Sequence, residues 1–205
     1  KRDNNLDYKP TQICVANGAK QNIFNVLAAL VNEGDEVILP APYWVSYDEM
    51  VKINGGVSVF IETNIDTEFK MTAEQLEAAI TPKTKAVLYS SPCNPSGSYY
   101  TREELEKIAN VMAKYPDVVI ISDEIYEFIN YDGEHVSIAE FPQVFNQTAV
   151  INGMSKAFAM TGWRIGYSAC PQWLADACDK LQGQVTRGAN TVTKRATIEG
   201  LETDP

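Results

Sequence analysis

Apolar positions along this chain follow two alternating rhythms. Ile23, Val26, Leu27 and Leu30 recur at helical spacing and predict a helix over 19–31, ended by Asn32-Glu33-Gly34-Asp35. Short continuous apolar runs at 36–39, 57–61, 84–89, 118–121, 148–151 and 165–169 predict strands, with another over 12–15 ahead of the first helix. Further helices are expected between them. One covers 43–52, where Pro42 favours a helix start. One covers 73–80, capped by Thr72 and stopped by Thr81-Pro82. A third runs to 114 from the capping box Thr101-Arg102-Glu103-Glu104. A last helix begins at Pro171 and carries Trp173, Leu174, Ala177 and Leu181.

Strands thus alternate with helices from one end to the other. Continuous rather than alternating apolar strands belong to a sheet covered on both faces. The expected fold is an α/β three-layer α/β/α domain with a mostly parallel sheet. The absence of repeats and low-complexity linkers makes 1–205 one domain. Ligands of such sheets lie beyond the carboxyl ends of the strands, so polar residues at those ends become the candidates for chemistry.

Gly18-Ala19-Lys20 follows the first strand and opens a helix, an arrangement that receives anions. Asn94 lies in the Pro- and Gly-rich turn after 84–89, where it also reads as a plain turn residue. Asp123 follows the apolar run 118–121, with Glu124 and Tyr126 close behind. A carboxylate buried there costs several kcal/mol unless paired, so it needs a cation from a ligand or a structural salt bridge, unless it serves as a helix cap. Lys156 sits between Ser155 and a small apolar segment, with Arg164 between Trp163 and Ile165. Burial or a neighbouring cation makes a lysine amine easier to deprotonate, and a neutral amine forms a Schiff base with a carbonyl. A surface lysine and arginine flanking a core segment is the plainer alternative. Together these residues describe a site for a phosphorylated, aldehyde-bearing, nitrogen-heterocyclic cofactor.

Composition narrows the partners. A net charge of −10 argues against nucleic acid and against an anionic membrane surface. No apolar run approaches the roughly 20 residues that span a bilayer, and Lys1-Arg2-Asp3-Asn4-Asn5 precedes no signal-peptide core. A cytoplasmic location is expected. Cys14, Cys93, Cys170 and Cys178 have no metal-ligand spacing and read as reduced thiols. His135, the single histidine, falls in the polar loop 131–135 and is expected to be solvated. That argues against a His-based triad or a zinc site, and no metal is expected.

The motifs carry a resemblance. Asn17-Gly18-Ala19-Lys20-Gln21, Pro42-Tyr43-Trp44-Val45-Ser46-Tyr47, Ser91-Pro92-Cys93-Asn94-Pro95-Ser96-Gly97, Ser122-Asp123-Glu124-Ile125-Tyr126 and Gly153-Met154-Ser155-Lys156 through Arg164-Ile165-Gly166 occur in this order. The set resembles the class I aminotransferases of fold type I, which depend on pyridoxal 5′-phosphate. The first two segments are most similar to the bacterial aspartate aminotransferase subgroup. The resemblance implies that Lys156 carries the cofactor as a Schiff base and, once released, moves the substrate proton. It implies that Asp123 keeps the pyridine nitrogen protonated and that Tyr126 and Asn94 contact the ring oxygen. Trp44 stacks on the ring, unless it is a core tryptophan of an amphipathic helix. Ser155, Arg164 and the backbone of Gly18 and Ala19 hold the phosphate. Lys20 either reaches the distal carboxylate of aspartate or glutamate or stays beside the phosphate or in solvent. Catalytic roles thus fall to Lys156, Asp123 and Tyr126, and substrate contacts to Lys20, Trp44 and Asn94.

Two departures stand out. Gly153 replaces a phosphate-binding serine of many relatives, and Cys93 occupies a variable position. The resemblance further implies amino-acid and 2-oxo-acid substrates and a homodimer. It makes 1–205 the large domain of a longer enzyme, with the N-terminal arm, the small domain and its substrate-carboxylate arginine outside this chain. The chain alone would then turn over little. An aromatic or alanine aminotransferase, a C–S lyase and a non-catalytic cofactor-binding or dimerising module remain alternatives. A nucleotide-binding protein is disfavoured, because neither Gly-x-Gly-x-x-Gly nor a P-loop is present.

Overall fold

The computed structural model describes residues 4–131 and 133–203. Its seven strands are β1 (Ile13–Ala16), β2 (Glu36–Ala41), β3 (Val57–Glu62), β4 (Thr84–Ser90), β5 (Val119–Asp123), β6 (Thr148–Gly153) and β7 (Gly166–Ala169), in the order β1-β7-β6-β5-β4-β2-β3. Neighbours from β3 to β6 pair in parallel, while β7 is antiparallel to both β1 and β6. All strands but β7 therefore point their carboxyl ends to one edge.

The continuous apolar runs are explained by the two faces. Val37 and Leu39, Ala86 and Leu88, and Val119 and Ile121 pack into one core, whereas Ile38, Val87 and Ile120 pack into the other. Successive strand residues face opposite sides, so a strand covered on both must be apolar throughout. The first core is closed by α1 (Ala19–Leu30), α2 (Ser46–Ile53) and α5 (Gln172–Val185), the second by α3 (Ala73–Ala79) and α4 (Arg102–Met112). The three-layer expectation holds. No helix among the described residues is long and apolar enough to cross a membrane.

Two elements differ from expectation. The helix predicted over 43–52 starts only at Ser46, with Asp48 and Glu49 in the first turn, where the helix dipole favours acid. Pro42, Tyr43 and Trp44 remain in the connection, which leaves Trp44 free of the helix. The helix after Pro171 is not the last, because α6 (Thr191–Leu201) follows it. Its Val192, Ile198 and Leu201 are exposed, so it shows no buried apolar stripe, and the threonines at its start are weak helix formers. The Asn190 side chain caps it, accepting from the amides of Val192 and Thr193.

One glycine ties the sheet to the first turn. A Cβ on Gly166 would collide with Ala19 N and stand 2.7 Å from Gly18 C and 2.9 Å from Asn152 O, all backbone atoms. Gly166→Ala should lower unfolding stability by about 1–3 kcal/mol, the usual range for overpacking, measured by urea denaturation. An unchanged midpoint would mean that the turn gives way freely.

Candidate active site

The carboxyl edge gathers residue groups from every strand but the edge strand β3. Ala19 and Lys20 follow β1, and Trp44 follows β2. Ser90 and Asn94 come from the end of β4, and Asp123, Ile125 and Tyr126 from the end of β5. Ser155 and Lys156 follow β6, and Thr161 and Arg164 lead into β7. The reversed direction of β7 is what returns Arg164 to this edge. All these residues, with Tyr47, line one cleft. Every candidate named from the sequence lies there except Gly18, which sits against Arg164 as the N-cap of α1.

Asp123 ends β5, still paired with Ser90 on one side and Ile151 on the other. It is buried, with its Oδ2 accepting a 2.6 Å hydrogen bond from the Tyr47 hydroxyl and its Oδ1 a 3.3 Å bond from the Ile125 amide. Both donors are neutral. Burial raises its pKa from 3.8 to about 6, and the Tyr47 and Ile125 bonds offset only part of this. Tyr47 is itself buried, and burial next to that carboxylate holds its phenol well above 10. It was not singled out from the sequence. Its signal was a tyrosine on the inner side of a helix, whose hydroxyl must find a partner once buried.

The other walls are aromatic and cationic. Trp44 meets Tyr47 edge-on at 5.5 Å, and the exposed Lys20 ammonium lies 4.7 Å over the Trp44 ring. Trp44 is thus a cleft residue and not a helical core residue. Lys156, half-buried, holds its Nζ 5.2 Å over the Tyr126 ring. Arg164 adopts a left-handed backbone at φ 52°, uncommon for a side-chain-bearing residue and concentrated at functional sites. Its guanidinium donates to Thr161 O at 2.9 Å and Asn17 O at 3.3 Å. Gly18, at φ 92°, leaves room for it, since a Cβ there would fall 2.5 Å from Arg164 Nη2. Buried Ser155 completes this corner.

Two expectations change. His135 is not solvated. Its side chain is only 11% exposed, and its Nε2 lies 3.1 Å from Glu124 Oε2. A buried carboxylate demanded a partner, and the polarity of the loop sequence hid which residue supplied it. Gly153 lines the cavity beside Asn152 and Met154 instead of the cleft. A Cβ there would stand 2.8 Å from both Gly166 Cα and Ile165 O, so this backbone has no space for a serine.

The family model for aminotransferase class I and II matches residues 1–205. This chain belongs to the class I and II aminotransferases. It is 52% identical to the aspartate aminotransferase of Bacillus sp. (strain YM-2) over 97% of its own length and 51% of that enzyme's. The crystal structure of the aspartate aminotransferase from Rhizobium meliloti superposes with a TM-score of 0.97 at 43% identity, covering 98% of this chain and 51% of that one. The Thermus thermophilus aspartate aminotransferase with maleate gives a TM-score of 0.94 at 43% identity, over 98% and 52% of the two chains. The aminotransferase chain thus spans about half the length of the curated relatives it matches.

The buried carboxylate makes a measurable prediction for the cofactor-free chain. The folded pKa of Asp123 is raised, so the folded state binds more protons than the unfolded state between about pH 4 and 6. Stability therefore falls as pH rises through that window, by about 3 kcal/mol. Asp123→Asn should abolish this component and be the more stable form at pH 7.5. Urea denaturation of both proteins from pH 4 to 7.5 checks it, and parallel stability curves would contradict it.

Proposed function

We propose that the full-length protein containing this chain is a pyridoxal-phosphate-dependent aminotransferase that moves an amino group between aspartate or glutamate and a 2-oxo acid. The single observation that carries the reading is the placement of Lys156 and Asp123 in one cleft with the Gly18–Arg164 corner. The donor set fits the cofactor on two grounds. A buried carboxylate whose hydrogen-bond donors are neutral suits a protonated ring nitrogen, and the glycine turn with its arginine and Ser155 suits a phosphate. When bound, the cofactor supplies an aldehyde that condenses with amines and a ring that draws electrons from the substrate Cα–H bond.

The chain's residues then divide the work. Asp123 holds the ring proton, and the Tyr47 hydroxyl keeps the Asp123 carboxylate oriented. Trp44 covers a ring face and excludes water, while Tyr126 and Asn94 orient the ring through its oxygen. The Lys156 amine holds the cofactor and, once free, takes and returns the proton at the substrate Cα. Lys20 binds the distal carboxylate of a dicarboxylic substrate, the class to which maleate belongs. Residues 1–205 form the cofactor-binding large domain, and the whole enzyme is a cytoplasmic homodimer.

The test uses the full-length polypeptide loaded with pyridoxal phosphate. Aspartate with 2-oxoglutarate should give glutamate, and Lys156→Ala should lower kcat at least about a thousandfold. Lys20→Met should raise the KM for aspartate about tenfold or more while leaving an aromatic amino acid nearly unaffected. Release of ammonia and pyruvate without a 2-oxo-acid acceptor would make it a lyase, and no turnover of any amino acid would overturn the reading.

A further inference from the structure

A second polar cluster lies beside the cleft without lining it. Glu124 follows Asp123, and its carboxylate is 1% exposed. Its Oε1 accepts from Ser122 Oγ at 2.9 Å and Ser137 Oγ at 2.7 Å, and its Oε2 from His135 Nε2 at 3.1 Å. Its amide donates to Ile151 O on β6 at 2.8 Å, and its carbonyl accepts the Glu127 amide at 2.9 Å. That last bond starts the turn on which Tyr126 sits. The carboxylate thus fastens 122–124 to 135–137, the two ends of the excursion that presents Ile125 and Tyr126 to the cleft. Glu124, Glu127 and His135 also stand close enough together to surround a cation, but the imidazole and the Glu124 carboxylate already satisfy each other.

A buried ion pair is a poor source of net stability, since apolar residues of similar volume serve as well or better. Its benefit is direction. Three bonds to one carboxylate fix the backbone at Asp123 and at the Tyr126 turn more narrowly than apolar packing would. The pair is also close enough to act electrostatically. Burial is the main cause of the raised Asp123 pKa, and Glu124 adds to it. Burial opposes protonation of His135, but Glu124, Glu127 and Glu140 outweigh it and hold its pKa above the usual histidine value. The Tyr8 phenol is raised chiefly by burial and then by the Glu124 charge.

We propose that Glu124 and His135 are positioning residues, which fix the turn presenting Asp123 and Tyr126 and thereby tune the grip of both on the cofactor without touching it. This deepens the function proposed above and rests on it.

The chain holds one histidine, so a single imidazole resonance reports on the pair. In the cofactor-free chain that resonance should titrate above about pH 6.5, and Glu124→Gln should lower the midpoint by about one pH unit or more. In the cofactor-loaded full-length protein, the pH at which the lysine-bound cofactor changes its absorption should move by about half a unit or more in Glu124→Gln and in His135→Gln. Urea midpoints are measured alongside. Variants that lose stability but keep the wild-type absorption titration would make the pair merely structural and overturn the proposal. So would an imidazole that ignores Glu124→Gln. If Glu124→Gln does not fold, His135→Gln, at the more exposed position, decides alone. A wild-type protein that takes up no cofactor overturns the proposed function and this proposal with it. The imidazole titration needs no cofactor, so the two failures are distinguishable.

Discussion

A carboxylate at the end of a buried strand organises this molecule. Asp123 closes β5, which lies between β4 and β6 and is covered on both faces, so the charge is largely withdrawn from water and opens only onto the cleft. Two neutral hydrogen bonds, from Tyr47 and the Ile125 amide, are what the protein supplies. They leave the carboxyl with a pKa of about 6, a group still short of a cation at neutral pH. A fold that keeps such a residue carries a standing cost, which a positively charged ligand relieves on binding. Relief of that cost then adds to the affinity for a protonated ring nitrogen.

The sheet explains how the remaining groups reach that carboxylate. Parallel strands deliver their carboxyl ends to one edge, so side chains far apart in sequence converge there. Tyr47 and Asp123 are 76 residues apart, yet they share a 2.6 Å hydrogen bond. The one reversed strand, β7, carries Arg164 back to the glycine turn that opens α1. Gly166, packed against that turn, and Gly18, packed against the arginine, are positions where any side chain would intrude. The phosphate-binding corner proposed here depends on close backbone approach as much as on charge.

Much of this was legible in the sequence. The apolar runs named the strands because both faces are buried. The strand-end rule then gave Asp123, Asn94 and Lys156 their places. What was hidden depends on partners distant in the chain. Tyr47 was not singled out within the helix expected over 43–52, because nothing nearby shows that its hydroxyl meets Asp123. His135 read as a loop residue, because its partner Glu124 lies on the far side of a polar excursion. The helix α6 escaped because its apolar residues face outward and its threonines favour helix weakly. Gly153 was placed beside the phosphate by resemblance, whereas its tight packing against Gly166 is visible only in the paired backbones of β6 and β7.

The central claim is that Lys156 is the amine that takes the cofactor. The most direct measurement is to add pyridoxal phosphate to the full-length protein, reduce with borohydride and locate the modified residue by peptide mass spectrometry. The account predicts one stable adduct on Lys156, absent in Lys156→Ala. An adduct on another lysine, or none on a folded full-length protein, would contradict it.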